Sequence, residues 1–571
     1  MTTKQTTWLR RFCQWGWLAA FLWLFIQTDY DGSDQIPYAV NIFFRIDPLV
    51  GLAASLATRA FIALLLPSLF FLLSALVLGR WFCGWMCPLG TLIDLTRRVI
   101  KGKQTAPGNP RRHIRYALLI VVLICALFGL PLVGLLDPFA LLIRGLTLSL
   151  YPAMNHGLES FFTLTYQQAP EFVNTVTEPI YQGLKATILP FKQSVFTGSL
   201  ISGLILLGVL FLEFWERRGF CRNICPLGAL YGFTARFGLL RGHGGSDACG
   251  SCRMCSKICR MGAIDQERDI SMSDCNLCLE CVDKCPRSVI SFKWSDRKAA
   301  TQPAGTGVSR RDFITASAAG LMLPALNGAE SRRKLKNPLL IRPPGAFHEE
   351  EFLARCVRCG ECMKVCIKNA LHPALMDAGI EGLFSPILVP RLGYCEFNCT
   401  LCGQVCPTGA IKKLPLAEKR KWVIGTAEFD TNRCLPYRGV NCMVCEEHCP
   451  VGDKAIKFHN EPMTLADGST KIIKKPYVIP EKCIGCGICE HTCPLPGPAA
   501  IRVTFLGETR HPMHADPVIT GDVPGGKGGS TGFGGDSGYS GDSGYSGDSG
   551  YAGDSGYAGE TGYGGDTGFG R

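Results

Sequence analysis

The sequence predicts a multidomain protein: an α-helical membrane domain of four spans plus a fifth twin-arginine segment, then small α+β cluster-binding domains, then a disordered Gly-rich tail. Three observations predict it. Most of the 30 cysteines fall in repeated groups of four, apolar residues concentrate in the first 215 of 571 positions, and the C-terminal end repeats a short Gly-rich unit. The domains expected are 1–242 (membrane), 243–293 (two clusters), 294–337 (linker and twin-arginine segment), 338–506 (four clusters) and 507–571 (tail).

Cysteine usage this high means disulfides or metal. Disulfide frameworks belong to short secreted domains that lack a core; this chain is long, so metal is the better reading. The formal charge of +12 is no nucleic-acid signal. An oxidised 4Fe–4S core with four thiolates carries about −2, so six contribute roughly −12.

Four stretches supply the expected spans of about 20 apolar residues: Phe12–Ile26, Ala60–Gly79, Tyr116–Leu136 and Gln193–Leu212. The Gly79–Arg115 loop carries Arg80, Arg97, Arg98, Lys101, Lys103, Arg111, Arg112 and Arg115. The positive-inside rule then places that loop, the N-terminus and residues 243–293 in the cytoplasm. An internal repeat runs through this part. Arg80-Trp-Phe-Cys83-Gly-Trp-Met-Cys87-Pro88 is echoed by Arg218-Gly-Phe-Cys221-Arg-Asn-Ile-Cys225-Pro226, and Asp47-Pro48 by Asp137-Pro138, with about fifty residues inserted in the second copy. Each C-x3-C pair puts two thiols one helical turn apart. Cys83, Cys87, Cys221 and Cys225 are therefore candidates for an extra redox or metal centre. Lone Cys13 and Cys125 read as small apolar residues. No histidine lies inside a predicted span, so no haem is expected.

Cys249, Cys252, Cys255 and Cys259 follow C-x2-C-x2-C-x3-C spacing, and Cys275, Cys278, Cys281 and Cys285 repeat it. In such a ferredoxin-like module the fourth cysteine reaches the other cluster. Cys285 is thus expected with the first three and Cys259 with Cys275, Cys278 and Cys281. Zinc uses similar pairs, but two complete eight-iron motifs in tandem favour iron.

Beyond a polar linker, Ser309-Arg310-Arg311-Asp312-Phe313 precedes an uncharged run to Ala329. That pattern resembles a twin-arginine export signal and places residues 338–571 on the periplasmic side. Arg332, Arg333, Lys334 and Lys336 run against the usual charge bias there.

Four more groups follow: Cys356, Cys359, Cys362, Cys366; Cys395, Cys399, Cys402, Cys406; Cys434, Cys442, Cys445, Cys449; and Cys483, Cys486, Cys489, Cys493. The middle two have widened first gaps, which suggests nesting. Small domains of this kind draw much of their folding energy from the metal. Counting every group gives six 4Fe–4S clusters, two plus four.

With its four spans, both C-x3-C-P motifs and the eight-iron module, the region 1–293 resembles NapH-type membrane ferredoxin proteins, a group that also resembles the membrane and ferredoxin part of NosR and MauN. The twin arginines, Arg342-Pro-Pro-Gly-Ala346, Asn432-Arg-Cys434-Leu, Cys442-Met-Val-Cys445 and Cys483-Ile-Gly-Cys486-Gly-Ile-Cys489 make residues 309–506 similar to NapG- and MauM-type exported ferredoxins. The two are usually separate polypeptides and here are fused. The resemblance implies an inner-membrane quinol dehydrogenase component that passes electrons from the quinone pool to a periplasmic reductase or its cytochrome c. It also implies nested ligation: Cys493 with Cys356, Cys359 and Cys362; Cys366 with Cys483, Cys486 and Cys489; Cys449 with Cys395, Cys399 and Cys402; Cys406 with Cys434, Cys442 and Cys445. The competing reading is an accessory protein that maintains a reductase without oxidising quinol. The sequence shows no quinone pocket, though Asp47 and Asp137 are candidate polar groups or helix caps.

The tail repeats Gly-Asp-Ser-Gly-Tyr-Ser every six residues, marked by Tyr539, Tyr545, Tyr551, Tyr557 and Tyr563. Glycine this dense cannot offset its ordering entropy by burial.

Overall fold

The computed structural model describes residues 3–99, 111–168, 170–190, 192–244, 249, 252–294, 307–334, 337–464 and 470–510. The tyrosine-marked tail, most of the linker, Lys101, Lys103 and the side chains of Arg332–Lys336 lie outside the described residues.

Proline at the first turn of a helix loses no hydrogen bond and sets φ for the helix. The N-terminal region uses this at its Asp-Pro and Cys-Pro starts. Asp47 and Asp137 cap the helices Pro48–Thr58 and Pro138–Gly145. Cys87 and Cys225 cap Pro88–Val99 and Pro226–Ala235, where each sulfur accepts from a glycine N–H: Gly90 at 3.4 Å and Gly228 at 3.3 Å. Between these starts lie one helix and one short turn per copy: Leu66–Leu78 with Trp81–Trp85, and Ser199–Trp215 with Gly219–Asn223. The sequence repeat is thus a structural repeat, and the fifty-residue insertion is the helix pair Tyr151–Gln168 and Glu171–Thr187.

The expected spans do not form. Among the described residues no helix is long and apolar enough to cross a membrane, and glycine and proline are the reason. In Ala60–Gly79 the helix starts only at Leu66, with Pro67 in its first turn, leaving 13 residues, about 20 Å at 1.5 Å per residue. Tyr116–Leu136 stops at Leu127, before Gly129 (φ +79°) and Pro131. Gln193–Leu212 turns helical only after Gly198 (φ +70°), giving 17 residues or about 26 Å. The first helix, Thr3–Gln27, is long enough but carries Arg10, Arg11 and Gln14. The twin-arginine helix, Arg310–Lys334, contains Pro324 and charges at both ends. It packs along Arg112–Leu127, where a Cβ on Gly320 would lie 2.9 Å from Ile124. With the spans gone, the charge-bias assignment of sides loses its basis.

Sheets are small. Strand Leu240–His243 pairs antiparallel with Ser291–Trp294 and closes the first cysteine module. In the second, Leu371–Pro373 pairs with Pro386–Leu388, Thr426–Phe429 with Ile501–Thr504, and the hairpin strands Ile456–Thr464 and Thr470–Val478 with each other.

The helical unit holds one module at each end. Toward the first, Gly84 lies so close that an added Cβ would meet the Asn276 carbonyl oxygen at 2.0 Å. Around it, Trp85 Nε1 donates to the Leu277 carbonyl at 3.0 Å, and Arg115 and Arg112 pair with Asp274. Toward the second, a Cβ on Gly134 would fall on the Val357 carbonyl. Lys364 there donates to the Thr28 carbonyl and pairs with Asp29 at 3.0 Å, while Thr400 and Gln404 bond Asp34.

Where the two copies meet, Asp47 and Asp137 face each other, both buried. One oxygen of each accepts two helix N–H bonds. The other oxygens are buried with no hydrogen-bond partner, and the two carboxyls lie close enough to interact directly. Two buried carboxyls this close cannot both ionise without cost, so a proton on the pair is favoured. Burial is the main cause that raises both groups, and their mutual repulsion adds for Asp47. A raised folded-state value means the stabilisation is complete at low pH and is lost as pH rises through that value. The melting midpoint of the protein should therefore fall as pH increases above the ordinary carboxylate range. Asp47→Asn supplies an N–H₂ donor and still caps the helix, so it should flatten that slope; an unchanged slope in thermal melts would show that the pair does not carry it.

Candidate functional site

A chain that wraps an anionic core must curl its N–H groups inward, which alternating right- and left-handed residues achieve. Three cysteine sets use the same device at the same two positions. Leu277 and Leu279 (φ +51° and +59°) separate Cys275, Cys278 and Cys281; Arg358 and Gly360 (+56°, +89°) separate Cys356, Cys359 and Cys362; Gly485 and Gly487 (+71°, +83°) separate Cys483, Cys486 and Cys489.

In the first module Cys249, Cys252, Cys255 and Cys285 wall one cavity. Cys259 comes together with Cys275, Cys278 and Cys281. The second module departs from the nested ligation. Cys406, not Cys493, lines the cavity of Cys356, Cys359 and Cys362. Cys366 stands with Cys395, Cys399 and Cys402. Cys449 closes the set of Cys483, Cys486 and Cys489, and Cys493 the set of Cys434, Cys442 and Cys445. These are two consecutive two-centre units, first group with second and third with fourth. The widened gaps lengthen one loop in each unit without exchanging the units' closing cysteines.

The sets form a series. Cys362 lies within electrostatic reach of Cys402, Cys395 N–H donates to the Cys486 carbonyl at 2.8 Å, and Cys489 lies within electrostatic reach of Cys445. At the other end of the molecule, the turn bearing Cys83 lies against the Cys275–Cys278 loop through Gly84 and Trp85.

The two C-x3-C-P motifs converge: Cys83, Cys87, Cys221 and Cys225 are all within electrostatic reach of one another. Two buried guanidiniums flank them, related by the repeat. Arg218 donates to the carbonyls of Cys83 and Gly90 and pairs with Asp94. Arg80 donates to the Ser273 carbonyl while its Nε and Nη2 atoms have no protein partner. Beyond the cysteines, Tyr231, its hydroxyl buried without a partner, stacks on Phe82 at 5.4 Å and lies near Asp47. Arg144 continues the line from Asp137 to the Arg358 carbonyl at 3.2 Å, beside Cys359. Arg80 and Arg218 occupy equivalent places in the repeat, a signal that was available in the sequence; nothing there marked Tyr231 or Arg144. Cys13 and Cys125 join no set, and the Cys125 thiol lies 3.5 Å from the Gly320 carbonyl.

Burial pushes many of the thiols up, with Cys399, Cys434, Cys445 and Cys486 at about 12 and Cys221 at about 11. Only a metal centre makes such groups thiolates at neutral pH. Among the described residues no three cysteine sulfurs lie within 4.8 Å of one another. A single zinc with Zn–S near 2.3 Å needs sulfurs about 3.8 Å apart, so these sets fit a larger inorganic core.

The new ligation scheme has a direct consequence. Cys406→Ser should expose Cys356, Cys359 and Cys362 to alkylation and lower iron by about four atoms per chain. Cys493→Ser should expose Cys434, Cys442 and Cys445 instead. Peptide mass spectrometry after alkylation reads both, and the reverse pattern would restore nesting.

Family models described as a 4Fe-4S binding domain match residues 60–107 and 195–243, and another of the same description matches 476–495. The first two segments contain Cys83, Cys87, Cys221 and Cys225 as their only cysteines. The "Methylamine utilization ferredoxin-type protein MauM" of Methylorubrum extorquens is 39% identical over 207 residues, 34% of this chain and 88% of that protein. The "Ferredoxin-type protein NapG" of Escherichia coli is 30% identical over 191 residues, 33% of this chain and 81% of its own length. The "Ferredoxin-type protein NapH" of the same organism is 29% identical over 313 residues, 50% of this chain and 89% of its own. No solved structure matches. The chain therefore belongs to the MauM/NapG family of ferredoxin-type proteins, is related to NapH, and is an iron–sulfur electron-transfer protein whose cysteines bind 4Fe–4S clusters.

Proposed function

We propose that this chain, a NapH-like part fused to a NapG-like part, works at a bacterial inner membrane and carries electrons from quinol to a periplasmic reductase or its cytochrome c. The observation that carries the reading is the continuity of the cysteine sets. The two sets of the first module, the C-x3-C-P set, and the four sets of the second module follow one another, the C-x3-C-P set and the second module being linked through Tyr231, the Asp47–Asp137 pair and Arg144. Bound clusters accept and release single electrons; the chain's own contribution is to hold the sets in order and shield them from water. The likeness to NapH supports membrane association, and Ser309-Arg310-Arg311 supports a periplasmic position for the second module.

A cavity of about 450 Å³ supports quinol as the donor. Leu127, Phe128, Leu130 and Leu353 give it an apolar wall, and Glu350, Glu351 and Glu381 give it carboxylates. It lies beside the Ala354–Cys356 segment that enters the first set of the second module. Quinol oxidation releases two electrons and two protons; the glutamates are placed to take the protons while the electrons leave toward Cys356, Cys359 and Cys362.

In this proposal the four C-x3-C-P cysteines hold a seventh cluster. The purified protein should then contain about 28 irons per chain, and Cys83→Ser/Cys221→Ser about 24; 24 in both would return the count to six. Adding a soluble quinol analogue to the oxidised protein should bleach its iron–sulfur absorption. No bleaching with intact iron content would leave the chain as an accessory protein for a reductase.

A further inference from the structure

Beside the first module, between helix Thr3–Gln27, helix Pro88–Val99 and the segments around Arg217, Arg260 and Glu280, lies a second cavity of about 400 Å³. Arg10, Arg11, Arg97, Arg98, Arg217 and Arg260 line it, against only two carboxylates, Asp94 and Glu280. Those acids are already engaged. Asp94 pairs with Arg218 and Arg260, and Glu280 with Arg10, Arg217 and Arg260. Arg10 is buried and its Nε, like that of Arg260, has no hydrogen-bond partner. Arg97 also faces Glu213, yet six guanidiniums around these three carboxylates, one of them shared with Arg218, leave a positive excess in a partly closed space that suits an anion, and guanidinium forks match phosphate oxygens.

The rim identifies the anion's source. Arg98 lies over the Trp15 ring at 5.9 Å. Trp15 belongs to a helix that also exposes Trp8 and Phe12, and Val99 at the end of the facing helix is 82% exposed. Aromatic side chains beside basic ones are the usual dress of a membrane–water interface, and free phosphate makes no use of the apolar rim. We infer that this cavity binds the phosphate headgroup of an anionic glycerophospholipid, with Arg10 and Arg260 at its floor, Arg11 and Arg98 at its mouth, and the acyl chains along Trp8, Phe12 and Val99. The site has no part in electron transfer as such; it anchors the first module to a lipid surface.

The test uses the full-length, cluster-loaded protein in detergent, titrated with phosphatidylglycerol, diphosphatidylglycerol or phosphatidylcholine and read by native mass spectrometry. The anionic lipids should bind and phosphatidylcholine should not. Each basic side chain near an anionic headgroup is worth about a factor of five, so Arg11→Ala/Arg98→Ala should weaken binding roughly thirtyfold. Iron content and iron–sulfur absorption should stay unchanged, which separates loss of lipid from loss of fold. Should that variant misfold, Arg98→Ala alone should give about a fivefold loss. Equal binding of the zwitterionic lipid, undiminished binding by the folded variants, or full displacement by inorganic phosphate would each overturn the inference.

Discussion

Buried positive charge is the constraint around which this molecule is built. The largest fully buried side chains are headed by arginines: Arg10, Arg80, Arg115, Arg144, Arg218, Arg222, Arg342 and Arg358. Removing a guanidinium from water costs several kcal/mol unless an anion faces it. Some face carboxylates, as Arg115 faces Asp274 and Arg342 faces Glu349. Others face cysteine sets. Burial and the neighbouring Arg358 depress Arg144 to about 10, while Cys359 and Asp137 act against that shift. Arg80 has unpartnered nitrogen atoms and lies within electrostatic reach of Cys221. Thiols alone leave such charges uncompensated. Thiolates around an anionic core compensate them, which ties cluster assembly to folding of the whole chain rather than of the small modules only.

The repeat explains how two modules come to share one helical unit. In each copy an Asp-Pro start and a Cys-Pro start sit at opposite ends, so placing two copies face to face gathers two carboxyls at one end and four thiols at the other. Each gathering lies beneath a module: the thiols under the Cys275–Cys278 loop, the carboxyls near Arg144 and the Cys356–Cys359 loop. Gly84 and Gly134 permit the contacts because the facing carbonyls occupy the space a side chain would need. Burial favours the protonated form of Asp47 and Asp137, which lowers a repulsion that would push the copies apart.

Local chemistry was legible because cysteine spacing is a local property. A C-x2-C-x2-C run determines a loop that wraps one core whatever surrounds it, so the cysteine groups and the closing partners of the first module could be read from spacing alone. The helical unit was misread for an equally physical reason. Hydropathy sums side chains, whereas helix length depends on where the backbone breaks, and Pro67, Gly129, Pro131 and Gly198 divide apolar runs that look continuous.

What the sequence determined by itself is the metal chemistry: thirty cysteines, their grouping, the repeated C-x3-C-P and Asp-Pro starts, and a net charge of +12 that anionic cores offset. Tertiary structure alone decided which closing cysteine joins which set in the second module. It also decided that four distant C-x3-C-P thiols meet, and that all the sets lie in one series. These depend on contacts between residues far apart in the chain, such as Cys356 with Cys406 and Cys83 with Cys221. A loop's spacing says how a cluster is gripped; only the packing of the loops on one another says which clusters are neighbours.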